Sequence, residues 1–309
     1  MGPLLIASAL FCTGLILLVK GADWLVKGGA GLAVKWGIPS GIVGFTIIAF
    51  GTSLPEFFVT TNAVLIGKDD IGLGNVVGSN IFNIAFILAL CALVKPGPIL
   101  TPETRPILWK ELALTILATV LYITLTLRGI LDIYSSVLFL GGFAVILLYI
   151  CKKGIVSPEE GLQSHGNLDY LHTILGLAGV IGGSSLFLSG AIDLATIFLI
   201  PPYIIGLSIV AAGTSIPELV TSLVAILRGY GGVSAGNILG SNYFNLLFIL
   251  GVGSLIHPVT VPEQTTNLVL LAVTLCMIPM FILKKNWMLR AWALLVFSGY
   301  IMYLFMMYV

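Results

Sequence analysis

Glu56 and Glu218 are acidic residues set near the middle of long apolar stretches. Glu56 lies fifteen residues after Gly41 and ten before Ile66, and Glu218 lies fourteen after Ile204 and nine before Leu227. An ionised carboxylate in such a place costs several kcal/mol unless it is paired, neutralised or bound to a cation. No basic residue stands in the middle of any apolar stretch, so a bound cation or a proton is left. Each acid closes the same hexapeptide, GTSLPE at 51–56 and GTSIPE at 213–218. Pro55 and Pro217 cannot donate the backbone hydrogen bond of a continuous helix, and Gly51 and Gly213 loosen the turn before them. The helix is expected to break there, freeing carbonyls near Ala49 to Thr52 and Ala211 to Thr214. The hydroxyl residue, Pro and Glu that follow are in capping order for a new helix. Broken backbone at membrane depth is tolerated where it lines a cavity or is otherwise buried.

Hard cations such as calcium take six to eight oxygen ligands from carboxylates, carbonyls, hydroxyls and amides. Those groups are present in duplicate. Ser79 and Asn83, like Ser241 and Asn245, are four residues apart and share a helical face, from which they can complete a cage. The plainer readings are interhelical hydrogen bonding for Asn and small-residue packing or back-bonding for Ser. Asn80 and Asn242 have the bracing of the hairpin as their simplest role. His165, His172 and His257 sit at loops or stretch ends, which argues against zinc or copper. Two carboxylates neutralise one divalent or two monovalent cations, so the two kinds of ion are expected to compete for overlapping places.

The elements that must position these groups follow from composition. The 309 residues are 58% hydrophobic and 9% charged with a mean hydropathy of +1.12, whereas a soluble domain carries roughly 25% charge. Apolar stretches near 3–33, 40–66, 73–94, 108–127, 131–151, 168–190, 202–227, 233–256, 264–283 and 288–309 each approach the ~20 residues that span a bilayer. They are continuous rather than alternating, so the expected fold class is an all-α integral membrane protein with ten transmembrane helices, not a barrel. The first stretch has neither a basic leader nor a small-residue cleavage site and is expected to stay in the product. Cys12, Cys91, Cys151 and Cys276 lie far apart and imply neither a metal site nor a disulfide framework. Trp24, Trp36, Trp109 and Trp287 fall toward stretch ends, as in an aromatic belt, and Gly-rich runs such as 27–31 allow close helix packing. With the amino terminus outside, twelve of the fourteen basic residues fall on one side, and only Lys68 and Arg128 on the other. Both termini of this multi-pass cell-membrane protein are therefore expected to be extracellular.

The chain also repeats itself. GFTIIAFGTSLPE (44–56) returns as GLSIVAAGTSIPE (206–218), and GNVVGSNIFN (74–83) as GNILGSNYFN (236–245), both at an offset of 162. Five stretches precede residue 152 and five follow residue 167, and an odd number per copy turns the second one upside down. The expected organisation is a first five-helix repeat at 1–151 (motif region 41–90), a cytoplasmic linker at 152–167 and an inverted repeat at 168–309 (motif region 203–252). Inverted repeats with interrupted helices point to a secondary transporter whose site lies near the midplane.

The pair GTSLPE and GTSIPE, each followed by GN-x-x-GSN, resembles the α-repeats of the cation/calcium antiporter superfamily, in particular its sodium/calcium exchanger branch, over the whole ten-span plan. The resemblance implies Glu56 and Glu218 as shared calcium and sodium ligands and Thr52 and Thr214 as carbonyl donors to calcium. It further implies Ser53, Ser215, Ser79 and Ser241 as sodium ligands, with Ala49 and Ala211 giving carbonyls to sodium. It implies an electrogenic exchange of three sodium ions for one calcium, the two ions and the bilayer being the partners. No cofactor, nucleic acid or obligatory protein partner is expected, and no enzymatic activity. Members that also carry potassium have an Asp where this chain has Asn245, which makes potassium dependence unexpected and lowers the charge of the centre. The short 152–167 linker leaves no room for the calcium-sensing domain of the animal members. The alternatives are a proton/calcium antiporter, an intramembrane hydrolase, which lacks GxGD or HExxH, and a passive channel, which inverted halves disfavour.

Overall fold

The computed structural model describes residues 2–38, 40–99, 101, 104–153, 163–199, 211–261 and 265–308. Residues 154–162 of the linker and 200–210, which open the second motif region, lie outside them. The described chain is nearly all helical. In order it forms α1 (Gly2–Trp36), α2 (Ser40–Thr52), α3 (Leu54–Leu65), α4 (Asp69–Val94), α5 (Thr104–Thr126), α6 (Ile133–Lys153) and α7 (Leu168–Ile197). There follow α8 (Ala211–Gly213), α9 (Ile216–Leu227), α10 (Gly231–Ile256), α11 (Thr265–Leu275), α12 (Ile278–Ile282) and α13 (Asn286–Tyr308). Among the described residues six helices are long and apolar enough to cross a membrane, or seven if α2 and α3, bent by 46° at their junction, are one span. Shorter apolar helices cover Ile133–Tyr149, Ile216–Leu227 and Thr266–Met280.

Two short pieces of the described chain are extended rather than helical. Ile130–Leu131 (β1) and Val259–Thr260 (β2) pair antiparallel, Ile130 opposite Thr260 and Leu131 opposite Val259. The residues after α5 and α10 emerge side by side at one end of the bundle, where extended backbone satisfies its polar groups by pairing. Beside this pair, Asp132 accepts hydrogen bonds from Arg128 and from the Ser135 amide at the start of α6. These bonds lower its pKa to about 2.

The helices fall into a buried centre and an outer layer. In α4 and α10, 78% and 83% of the apolar span is buried, against 22% in α1 and 28% in α7. Both central helices widen into a π-helical turn, at Asn83–Leu88 and Phe244–Ile249, which period-3.6 reading of the sequence does not disclose. The outer helices α1 and α7 pack on each other through glycines. Gly14, Gly21 and Gly28 recur every seven residues, and their repeat counterparts Gly176, Gly183 and Gly190 do the same. A Cβ at Gly21 would lie 2.6 Å from the Gly179 carbonyl carbon, and one at Gly176 would strike the Leu25 backbone. Spacing by seven keeps these contacts on one seam and lets the two backbones touch. Between Gly21 and Gly28 of α1, Asp23 bonds Lys27 at 3.0 Å and also Arg228 at the end of α9.

Replacing Gly176 by Leu should push α1 from α7 and lower the unfolding midpoint in detergent, an overpacking cost of about 1–3 kcal/mol. Gly182→Leu, where an added Cβ meets nothing within 4 Å, should leave the midpoint nearly unchanged. Equal behaviour of the two variants would contradict this packing.

Candidate functional site

The two hexapeptides break their helices, at Ser53 in the first copy and over Thr214–Ser215 in the second. Ser53, between α2 and α3, has φ −86° and ψ 8°, and Ser215, between α8 and α9, has φ −91° and ψ 8°. Pro55 and Pro217 then occupy the first turn of the new helix, where a missing N–H costs nothing. Both serines stand at the N-cap position, yet neither caps its own helix through its side chain. Their hydroxyls are directed across the molecule. Ser53 Oγ donates to Glu218 Oε1 at 2.7 Å, and Ser215 Oγ donates to Glu56 Oε1 at 2.8 Å. Each carboxylate sits in the first turn of α3 or α9, where exposed backbone N–H groups favour negative charge.

Glu56, Glu218, Ser53 and Ser215 are all fully buried. Among the described residues no Lys, Arg or His bonds either glutamate, and the second oxygen of each, Oε2, is buried without a hydrogen-bond partner. The crosswise hydroxyl bonds join the two carboxylates in one centre. Ser241 joins them: its hydroxyl is 3.2 Å from Glu218 Oε1 and 2.9 Å from Ser53 Oγ. Gly236 and Gly240 bring α10 this close, because a Cβ at Gly240 would lie 2.6 Å from the Phe45 carbonyl oxygen of α2.

Two amides that sequence reasoning left out bracket the centre. Asn237 Nδ2 donates to Ser222 Oγ at 2.9 Å and to the Glu218 carbonyl at 3.5 Å, while its Oδ1 accepts from Thr52 Oγ1 at 3.1 Å. Asn75 does the same in the other copy, donating to Thr60 Oγ1 at 3.0 Å and the Glu56 carbonyl at 3.3 Å and accepting from Thr214 Oγ1 at 3.2 Å. Thr60 and Ser222 complete this symmetric pattern. The available signal was the Asn of GN-x-x-GSN, present in both copies at the offset of 162 together with the hydroxyl pair Thr60 and Ser222.

The remaining sequence candidates divide. Ser79 Oγ and both side-chain atoms of Asn245 are buried without partners. Asn83 spends its Nδ2 on Asn242 Oδ1 at 3.0 Å, leaving its Oδ1 unpartnered, so it ties α4 to α10. The Ala49 carbonyl, expected to be freed, accepts from the Ser53 amide at 3.0 Å and from Thr52 Oγ1 at 3.3 Å, because the break is only one residue long. Ala211 begins α8, and its side chain lies outside the described residues. Chemically this is a hard-oxygen environment: two carboxylates, hydroxyls and amides. Among the described residues there is no cluster of three or more His, Cys, Asp or Glu.

Comparison with known proteins agrees with the chemistry. The family described as sodium/calcium exchanger protein matches residues 6–152 and 169–309. The inner membrane protein YrbG of Escherichia coli is 36% identical over 82% of this chain and 81% of its own. The sodium/calcium exchanger MaX1 of Methanosarcina acetivorans is 28% identical over 90% of this chain and 91% of its own. The solved structure of the sodium/calcium exchanger from Methanococcus jannaschii superposes with a TM-score of 0.81 at 31% identity, covering 97% of each chain. These relatives are membrane transporters or membrane proteins and not enzymes. A duplicated motif, two crosswise-held buried glutamates and a family match over nearly the whole chain lead to one assignment: this protein belongs to the sodium/calcium exchanger family.

Proposed function

We propose that the chain exchanges sodium for calcium across the cell membrane, three Na⁺ for one Ca²⁺, by alternating access. The observation that carries this reading is the pair of orphaned carboxylate oxygens, Glu56 Oε2 and Glu218 Oε2, buried in one centre with no cationic side chain on either. A hard cation between them would satisfy both oxygens and cancel the cost of burying them. In this reading Glu56 and Glu218 are ligands shared by the two ions. Thr52 and Thr214 give carbonyls to calcium. Ser53, Ser215, Ser79 and Ser241 serve sodium with the Ala49 and Ala211 carbonyls, and Asn83 and Asn245 complete the cage.

The same reading arranges the chain as ten transmembrane helices in two inverted halves, 1–151 and 168–309, joined by the 152–167 linker, with both termini extracellular. Its support is the repeat at an offset of 162, the crosswise Ser to Glu bonds between the copies and the distribution of basic residues. Two negative charges suit one Ca²⁺ or two Na⁺, so loading with sodium competes with calcium rather than adding to it. The name of the Methanosarcina acetivorans relative favours sodium as the coupling ion.

Liposomes loaded with sodium should take up calcium-45, whereas potassium-loaded ones should not. Uptake driven by a proton gradient alone would replace this reading with proton/calcium antiport. A three-for-one exchange moves one net positive charge outward per calcium entering. An inside-positive potassium diffusion potential should therefore accelerate uptake and an inside-negative one slow it, and indifference to voltage would contradict the stoichiometry. Glu56→Gln and Glu218→Gln should each abolish uptake. Asn237→Ala should leave exchange measurable with half-saturating calcium raised several-fold, since it loosens Thr52 and the Glu218 turn, a loss of about 1 kcal/mol per hydrogen bond.

A further inference from the structure

A third carboxylate is buried in the described bundle, away from both hexapeptides. Glu111 of α5 is 5% exposed, and its Oε2 has no hydrogen-bond partner. It heads a buried polar stripe along α5, followed by Thr115, Thr119, Tyr122 and Thr126 at spacings of four, four, three and four. The others are satisfied. Thr115 and Thr119 donate to carbonyls four residues back at 2.9 Å, and Tyr122 donates to Asn267, which in turn bonds Thr126. α10 packs against α5 and carries Tyr243, whose hydroxyl is also buried and unpartnered. Tyr243 packs its ring on Phe45 of the broken helix α2, with centroids 4.0 Å apart.

Neither residue belongs to the repeat pattern. At the offset of 162, Glu111 corresponds to Val273 and Tyr243 to Ile81. Each of the two polar groups is therefore present in one copy of the repeat and apolar in the other. Their position is on the side where basic residues collect: Glu111 is six residues, about 9 Å, along the helix from Arg105, which bonds the Leu283 carbonyl at that end.

We propose that Glu111 is a proton-binding site, separate from the two-glutamate centre, through which protons on the basic side act on exchange. The surroundings select the ligand. The neighbours of α5 are α10, α11, α12 and the 3₁₀ turn Gly97–Ile99, and none contains Lys, Arg, His, Asp or Glu; Tyr243 is their one titratable group. α6 adds Tyr134 and Tyr149, with Cys151, Lys152 and Lys153 in its last turn, and β1 adds nothing titratable. On α5 itself Lys110 is exposed and Arg105 is engaged at Leu283. With one carboxyl and one phenol, the site offers far fewer than the six to eight oxygens a calcium ion takes. A proton needs no cage. Loss of that proton would leave an uncompensated charge on α5 beside α10, the helix that carries Ser241 and Asn245, and would loosen the α5–α10 contact.

Infrared spectroscopy of the Glu56→Gln/Glu218→Gln double variant at neutral pH tests the site without requiring transport. The other buried acid among the described residues, Asp169, accepts bonds from Ser164 and the His165 amide. The double variant should show a protonated-carboxyl C=O band that is lost when Glu111→Gln is added. No band, or a band that survives the third substitution, would overturn the proposal, whatever the transported ions prove to be. In liposomes, Glu111→Gln alone should flatten the dependence of calcium-45 uptake on the pH of the basic side, with Glu111→Asp keeping that dependence and Tyr243→Phe shifting its midpoint. A Glu111→Gln profile superimposable on that of the unaltered protein would refute the link to exchange.

Discussion

The centre of this structure is two buried carboxylates that no positive side chain neutralises among the described residues. Glu56 and Glu218 each receive a hydroxyl from the other motif, Ser215 for Glu56 and Ser53 for Glu218, and Glu218 receives that of Ser241 as well. The exchange of partners explains why the helices break where they do. A serine at the end of a broken helix can turn its side chain away from its own backbone and toward a neighbour, whereas within a continuous helix it commonly back-bonds, as Thr115 and Thr119 do. The arrangement also makes the centre depend on both motifs at once. Displacing one hexapeptide would free the carboxylate of the other.

Around this centre each layer has a distinct task. Asn75 and Asn237 fasten the turns that carry Glu56 and Glu218 to hydroxyls on the same helices and to the threonine of the opposite motif. Gly236 and Gly240 remove the bulk that would hold α10 away from α2. The π-helical turns beginning at Asn83 and Phe244 alter the helical register just beyond Ser79 and Ser241, a feature often met at functional sites. The glycine seam between α1 and α7 instead joins two largely exposed helices to each other, so those helices form a pair whose main contact is internal.

Much of this was legible in the sequence for identifiable reasons. Composition announces a membrane protein, because continuous apolar runs have no other stable solution here. The helix breaks at Ser53 and Ser215 follow from Gly and Pro beside an acid. The crosswise bonding was not legible, because local rules assign Ser53 and Ser215 to capping, and only the packed structure shows the competing acceptor. The roles of Asn75 and Asn237 were hidden in a segment whose last Asn drew attention first, and Asn83 makes an interhelical bond to Asn242, the plainer use given for it. The β1–β2 pair was invisible, since two-residue strands carry no periodicity. Glu111 looked like a residue near a stretch end, and only its burial distinguishes it.

The most direct test of the central claim is equilibrium calcium-45 binding to the purified protein in the absence and presence of sodium, compared with Glu56→Gln and Glu218→Gln. The account predicts one saturable calcium per chain, displaced steeply by sodium and not by potassium, and absent from both variants. Calcium binding that is indifferent to sodium, or that persists when either glutamate is replaced, would contradict it.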